Sequence, residues 1–97
     1  MTKWKTKQLK ILAEVLTRFK NSEDTLCFLR DLLTLDELEE ISRRWQAVEL
    51  LDKGFSYRLI AKKTGLSTTT VTRIAHWLEH GEGGYRQALK YNKKHLG

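Results

Sequence analysis

Proline is absent from the sequence, and cysteine occurs once, as Cys27. A single cysteine excludes an internal disulfide framework and is typical of a reducing compartment, so we expect a cytoplasmic protein. The apolar neighbours of Cys27 predict a buried thiol with a structural role. No apolar run approaches the roughly 20 residues that a membrane-spanning helix needs, and no apolar stretch follows the basic start of the chain. We therefore expect neither a signal peptide nor a membrane segment.

Negative charge is the scarcer sign, with 12 Asp and Glu against 18 Lys and Arg and a formal net charge of +6. This balance favours a phosphate-rich partner, although an acidic protein or a membrane surface would also attract it. The 97 residues are 40% hydrophobic, which is enough to bury one core. We expect a single helical domain over residues 1–97, small enough to be stabilised by oligomerisation.

Strand signals are missing as well, because apolar residues do not alternate but recur at the three- and four-residue spacing of amphipathic helices. A stripe from Leu9 to Phe19 predicts the first helix. Thr34 and Glu37 fit the capping box that opens a third helix, because each side chain can bond the other's backbone N–H. Capping residues place the start of the second helix at Ser22, of the fourth at Ser56 and of the fifth at Ser67. The third helix is expected to end at Gly54, the fourth at Thr64–Gly65 and the fifth at about His80. The break at Gly81–Gly84 separates the fifth helix from the last one. The predicted fold is all-α with six helices.

Residues 57–74 carry the pattern of a helix-turn-helix, which we place at about residues 56–80. Two helices that cross steeply need apolar residues at their contact, a small residue where they touch and a tight turn between them. The positions that meet these needs in order are Ile60, Ala61, Gly65, Leu66, Val71 and Ile74. An ordinary helical hairpin does not require this ordered set, so we favour the helix-turn-helix.

The face of the second helix that remains exposed carries hydroxyls and cations. Hydroxyls and threonine methyl groups can read base edges, and cations neutralise phosphates. We expect Thr68, Thr69 and Thr72 to read bases, and Arg58 and Lys62 to hold the DNA backbone. The further cations around this face are Arg43, Arg44 and Lys63. The complete predicted DNA-binding set is Arg58, Lys62, Ser67, Thr68, Thr69, Thr72, Arg73 and His76.

An ordered set of residues runs from Leu32 to about His80, namely Leu32-Leu33-Thr34-Leu35-Asp36-Glu37, Arg43-Arg44, Val48-Glu49-Leu50-Leu51, Gly54, Ser56, Arg58, Gly65, Thr70, Thr72 and Arg73. In this order they resemble the tryptophan repressor family and, more closely, the Trp-repressor-related YerC/YecD proteins of bacteria. The resemblance implies an intertwined homodimer, with dimerisation helices at about residues 7–53 and 84–94 and DNA binding by helices four and five. Its two-fold symmetry implies a palindromic operator.

The resemblance also implies a tryptophan site, at positions that match Thr34, Arg44, Arg73 and the Leu32–Leu33 region. Two positions depart from the family, since Ile74 stands where it has a glycine and Trp77 where it has a serine. Both add bulk where the indole of tryptophan would lie, so we expect no cofactor and no binding of L-tryptophan. Ile74 or Trp77 would fill the site instead, with Trp77 near Arg44 and Arg73 in a cation–π contact. Packing of Trp77 in the core is the alternative.

Two other patterns point to different chemistry. Residues His76 to His80 spell H-x-x-E-H, a zinc-peptidase pattern, but such enzymes need a third protein ligand and a substrate cleft. We therefore expect neither catalysis nor a metal site. Tryptophans could stack on single-stranded bases, but Trp45 lies on an apolar helix stripe and is expected in the core.

The sequence as a whole predicts a sequence-specific, double-stranded DNA-binding transcriptional regulator that acts as a homodimer, represses its genes and works without tryptophan. The alternatives are a tryptophan-dependent repressor and an adaptor whose helix-turn-helix contacts another protein. Salt separates DNA binding from the adaptor, since phosphate contacts weaken steeply with salt and an apolar protein interface does not.

Overall fold

The computed structural model describes residues 3–96 of the chain and the side chains of residues 3–93. Within that range the chain forms six α-helices and no strand, which confirms the predicted fold class. The helices are α1 (Lys7–Leu16), α2 (Ser22–Leu32), α3 (Leu35–Asp52), α4 (Tyr57–Thr64), α5 (Thr68–His80) and α6 (Gly84–Leu96). The chain divides into two compact units, the first ending at Leu38 and the second beginning at Glu39. The outer limits of the predicted domain, residues 1 and 97, lie outside the described residues.

Side-chain caps begin the first two helices. The Thr6 hydroxyl accepts a hydrogen bond from the Leu9 N–H at 3.1 Å and opens α1. Asn21, rather than the predicted Ser22, caps α2, because the Asn21 side chain accepts from the Asp24 N–H at 2.8 Å. Both residue types are good caps, so the sequence could not decide between neighbours. The predicted extension of the first helix to Phe19 is also wrong, since α1 ends at Leu16.

The boundaries of α3 follow the predicted chemistry. The Glu37 N–H donates to the Thr34 hydroxyl at 3.1 Å, and the Thr34 N–H donates to the Glu37 carboxylate at 2.9 Å, which confirms the capping box. At the other end Gly54 adopts a φ of +87°, a left-handed conformation that other residues rarely take. Its N–H donates to the Leu51 carbonyl, and the Phe55 N–H donates to that of Leu50, which completes a Schellman motif.

The buried core lies in the second unit. Its apolar members are Ala47 and Val48 of α3, Ile60 of α4, Leu66 of the turn, Val71 and Ile74 of α5, and Leu89 of α6. Trp45 packs against this cluster, as its place on the α3 stripe predicted. The sequence pattern therefore identified most of the core, because helical spacing determines which residues share a face.

Cys27 is exposed, so the predicted burial of its thiol is wrong. It lies on α2, which contains no buried residue, and its neighbour Leu26 is 57% exposed. Apolar residues next to a cysteine in sequence do not bury it in a helix, because adjacent side chains point in directions about 100° apart.

Thr64, at the end of α4, is buried, with only 5% of its surface exposed. Its hydroxyl donates to the Ile60 carbonyl at 2.7 Å and accepts from the Leu66 N–H at 3.2 Å. One side chain thereby satisfies a carbonyl at the end of the helix and an N–H in the turn that follows. This residue fixes the end of α4 against the turn into α5.

We predict that Thr64→Val lowers the free energy of unfolding by about 1–3 kcal/mol, because the Leu66 N–H loses its partner while the volume hardly changes. Thr64→Ser is the matched control, since it keeps the hydroxyl and loses a methyl group. Urea unfolding of the three proteins at one protein concentration measures the difference. Equal losses for Val and Ser would show that the hydroxyl does not hold the turn.

Candidate nucleic-acid interface

The segment from α4 to α5 has the local geometry of a helix-turn-helix. The Ser56 hydroxyl caps α4 by accepting from the Leu59 N–H at 3.2 Å. Gly65 ends that helix with a φ of +79°, and its N–H donates to the Ala61 carbonyl at 2.9 Å. The Ser67 hydroxyl then caps α5 by accepting from the Thr70 N–H at 3.0 Å. The two predicted caps and the predicted left-handed turn are confirmed.

The contact between α4 and α5 is apolar and fully enclosed. Ile60 on α4 and both Val71 and Ile74 on α5 have no exposed surface. Leu66 fills the turn beside them and is also buried. These are the residues that the sequence predicted to face inward, and their burial determines which residues of α5 face outward.

The outward residues of α5 carry hydroxyls and two basic side chains. All of Thr68, Thr69, Thr72, Arg73 and His76 are exposed. The first turn of α5 contains no acidic residue. The one carboxylate of the helix, on Glu79 in the last turn, forms an ion pair with Arg86 at 3.0 Å. The outward surface is therefore free of uncompensated negative charge along its first three turns.

The hydroxyl groups on this surface differ in how much of their hydrogen-bonding capacity is left for a partner molecule. The Thr72 hydroxyl donates to the Thr68 carbonyl at 2.9 Å, which leaves its lone pairs and its methyl group for a ligand. The Ser67 hydroxyl is occupied by the cap and donates to the Thr70 hydroxyl at 3.0 Å. Among residues 3–96, the hydroxyls of Thr68 and Thr69 form no hydrogen bond. These two threonines offer complete hydroxyl groups to a partner.

The basic residues around the helix-turn-helix differ in whether they form an ion pair with a carboxylate. Within the described part of the chain, Arg58, Lys62 and Arg73 form no ion pair. A shallow depression of about 320 Å³ beside the α4 N-terminus is lined by Ser56, Arg58, Leu59 and Lys62. This depression combines cations with the positive end of a helix, an arrangement that suits an anionic group.

The arginines of α3 behave differently from the cations of α4. Arg43 pairs with Glu39 at 3.2 Å, and Arg44 pairs with Glu40 at 3.1 Å. Each pair spans four residues on one helix, a spacing that reveals such pairs in the sequence and that the prediction overlooked. Arg43 and Arg44 are therefore compensated cations, whereas Arg58 and Lys62 keep their charge available.

Arg44 also approaches Trp77 of α5, with its Cζ atom 6.0 Å from the ring centroid. Trp77 is 42% exposed and lies outside the buried core, whereas Ile74 is a core residue. Thr34, another predicted member of this group, belongs to the first unit, where it forms the capping box. The fifth member, Arg73, is exposed on α5. The geometry thus brings Arg44 and Trp77 together.

His76 and His80 lie one turn apart on α5, with ring centroids 4.9 Å apart and planes inclined by 47°. Among the described residues, no group of three or more His, Cys, Asp or Glu side chains is placed to hold a metal ion. Residues 3–96 likewise contain no helix that is both long and apolar enough to cross a membrane.

Two capped helices joined by a left-handed glycine, with a closed apolar contact and a basic, hydroxyl-rich outer face, define a helix-turn-helix protein. The chain belongs to the Trp repressor family, whose family model, described as Trp repressor protein, matches residues 7–93. This confirms the resemblance drawn from the sequence. The family is a regulatory DNA-binding fold and not an enzymatic one.

Individual relatives agree over nearly the whole chain. The sequence is 31% identical over 87 residues to YerC of Bacillus subtilis strain 168, described as uncharacterized, covering 90% of this chain and 84% of YerC. A crystal structure of a candidate Trp repressor from Staphylococcus aureus superposes with a TM-score of 0.86 at 27% identity, covering 94% of this chain and 91% of that one. A TrpR-like protein from Eubacterium eligens gives a TM-score of 0.86 at 28% identity, with 94% of each chain covered.

Proposed function

We propose that this protein is a homodimeric transcriptional repressor that binds a specific double-stranded DNA sequence and acts without tryptophan. The observation that carries the proposal is the outward face of α5, where exposed hydroxyls and basic groups lie beside unpaired cations of α4. A helix of this kind fits the major groove, where base edges present distinct donors, acceptors and methyl groups. The family membership supports the same conclusion.

Each side chain in the interface has a role that follows from its chemistry. Thr68, Thr69 and Thr72 read base edges through hydroxyl and methyl groups. Arg58 and Lys62 contact phosphates beside the α4 N-terminus and so position the protein on the duplex. Ser67, Arg73 and His76 complete the predicted set, with Ser67 acting through the capped N-terminus of α5 because its hydroxyl is already engaged.

The first unit supports a homodimer. Neither α1 nor α2 contains a buried residue. The exposed large apolar side chains up to Leu38 are Trp4, Leu9, Ile11, Leu16, Leu26, Leu32 and Leu35. Apolar stripes of this extent favour a covering partner, and a second copy of the chain, paired through residues 7–53 and 84–94, would provide one. The resulting two-fold symmetry implies a palindromic operator.

The side chains at the matching positions support independence from tryptophan. Ile74 occupies volume in the core where the family has a glycine, and Trp77 places an indole beside Arg44. Arg44 is in addition engaged by Glu40 at 3.1 Å. An arginine that already contacts a carboxylate and an indole of the same chain has little left to offer a free amino acid. The repressor role rests on the family and on the relatives described as Trp repressors.

We predict that Lys62→Ala weakens binding to all duplexes alike, because one phosphate contact is lost. The plot of log affinity against log salt, which falls with salt, should become less steep by about 1. Thr69→Ala should cost about 1 kcal/mol and change the preferred base at one position of each half-site. The measurement is a titration of duplexes selected from a randomised pool, at several salt concentrations. Lys90→Ala, which removes an exposed charge from α6, is the control for the loss of one cation. Binding that does not respond to salt would point to the adaptor alternative.

We predict that the midpoint of thermal unfolding rises with protein concentration, because folding and dimerisation are coupled. Leu26→Gln should lower the midpoint strongly, since a leucine covered by a partner contributes about 1.5–3 kcal/mol per copy. Tyr57→Gln is the matched control, because Tyr57 is also an exposed apolar residue but lies on α4. Sedimentation of a folded monomer at micromolar concentration would contradict the homodimer.

We predict that calorimetric titration with L-tryptophan, with and without DNA, gives no saturable heat, because a ligand that cannot enter cannot shift a conformational equilibrium. L-leucine serves as the control for unspecific heats of dilution. Saturable binding at sub-millimolar tryptophan together with tighter DNA binding would establish the tryptophan-dependent repressor instead.

A further inference from the structure

His76 and His80 form a pair on α5, and the proposed contacts with DNA give a role to only one of the two. Both side chains are exposed, and their ring centroids are 4.9 Å apart. Four-residue spacing on a helix places two imidazoles on one face, an arrangement that metalloproteins use to hold zinc. Only His76 belongs to the proposed DNA-binding set, so His80 has no role in that set.

We propose, against the expectation drawn from the sequence, that His76 and His80 together bind a divalent transition-metal ion of the zinc type, and that the bound ion strengthens DNA binding. Neutral imidazole is a preferred ligand of Zn²⁺, Ni²⁺ and Cu²⁺, whereas Mg²⁺ and Ca²⁺ prefer oxygen ligands. The two rings supply two of the four positions of a tetrahedral zinc site. The coupling to DNA rests on the proposed function, whereas the metal site itself does not.

The surroundings of the pair leave the other two positions open. Glu79 lies three residues after His76 and could approach the same ion, but Arg86 holds its carboxylate at 3.0 Å. Among the described residues, no group of three or more His, Cys, Asp or Glu side chains is placed to hold a metal ion, so the proposed site uses two ligands of this part of the chain. Open positions of this kind can accept a phosphate oxygen or a base nitrogen of DNA.

The location of His76 gives the ion its effect on DNA. His76 lies on the same outward face as Thr69 and Thr72, one turn beyond Thr72. A bound divalent ion adds two positive charges to that face, close to the polyanion that the face is proposed to contact. Because coupling between two ligands is reciprocal, DNA would raise the affinity for the metal by the same factor.

The test begins with calorimetric titration of the full chain with Zn²⁺ alone, in the absence of DNA. We expect one saturable site per chain, weakened at least about tenfold in His80→Gln, since the loss of even an outer-shell partner costs about 10- to 100-fold. His76→Gln/His80→Gln should abolish it, and Cys27 is present in all the proteins, so a contribution from its thiol would persist. Equal zinc binding by the double variant, or no binding by the wild type, would overturn the site.

The second arm measures affinity for a selected duplex in EDTA and over a range of Zn²⁺ concentrations up to saturation. We expect zinc to tighten DNA binding by about 5-fold or more in the wild type, the lower end of typical coupling, and His80→Gln to need at least about tenfold more zinc for the same effect. His80 is outside the proposed DNA-binding set, so this variant should bind DNA normally in EDTA. Saturable zinc binding without any change in DNA affinity would overturn the coupling. A protein that binds zinc but binds no DNA, either in EDTA or in saturating Zn²⁺, would refute the proposed function instead.

Discussion

Ile60, Val71 and Ile74 meet in a contact from which water is fully excluded, and the orientation of α5 against α4 follows from it. Side chains three residues apart share a helix face, so burying Val71 and Ile74 fixes the rotation of α5 about its own axis. Thr69, Thr72 and His76 must then face outward. The hydrogen bonds of Thr64 and the left-handed turn at Gly65 support this contact by fixing the end of α4.

A basic side chain of this protein is compensated where a carboxylate lies one turn away on the same helix, and keeps its charge available where none does. The arginines of α3 are paired with Glu39 and Glu40, whereas α4 contains no acidic residue in its sequence. Exposed pairs of this kind contribute little to stability, but they remove positive potential from their surroundings. The positive field is thereby concentrated along α4, at Arg58 and Lys62, and not spread over α3.

Local rules predicted the helix-turn-helix well, because a cap, a left-handed glycine and a helical stripe each depend on residues within one or two turns. Ser56, Ser67 and Gly65 were found in this way. Thr64 was missed because its role requires knowing that the helix end is buried, although a threonine that bonds back to a carbonyl four residues earlier is a known helix pattern. The exposure of Cys27 could not be predicted from apolar neighbours, since burial depends on which face of α2 meets another element.

On α5, the positions that hold the fold together and the positions that face outward are different residues. Val71 and Ile74 are confined to the core, whereas substitution of Thr68 or Thr69 changes neither a buried contact nor, within the described residues, a side-chain hydrogen bond. The outward sequence of this helix can therefore drift without loss of stability. Within a family of this fold, copies of one scaffold could acquire separate DNA targets after gene duplication by a few exposed substitutions, with the core left unaltered.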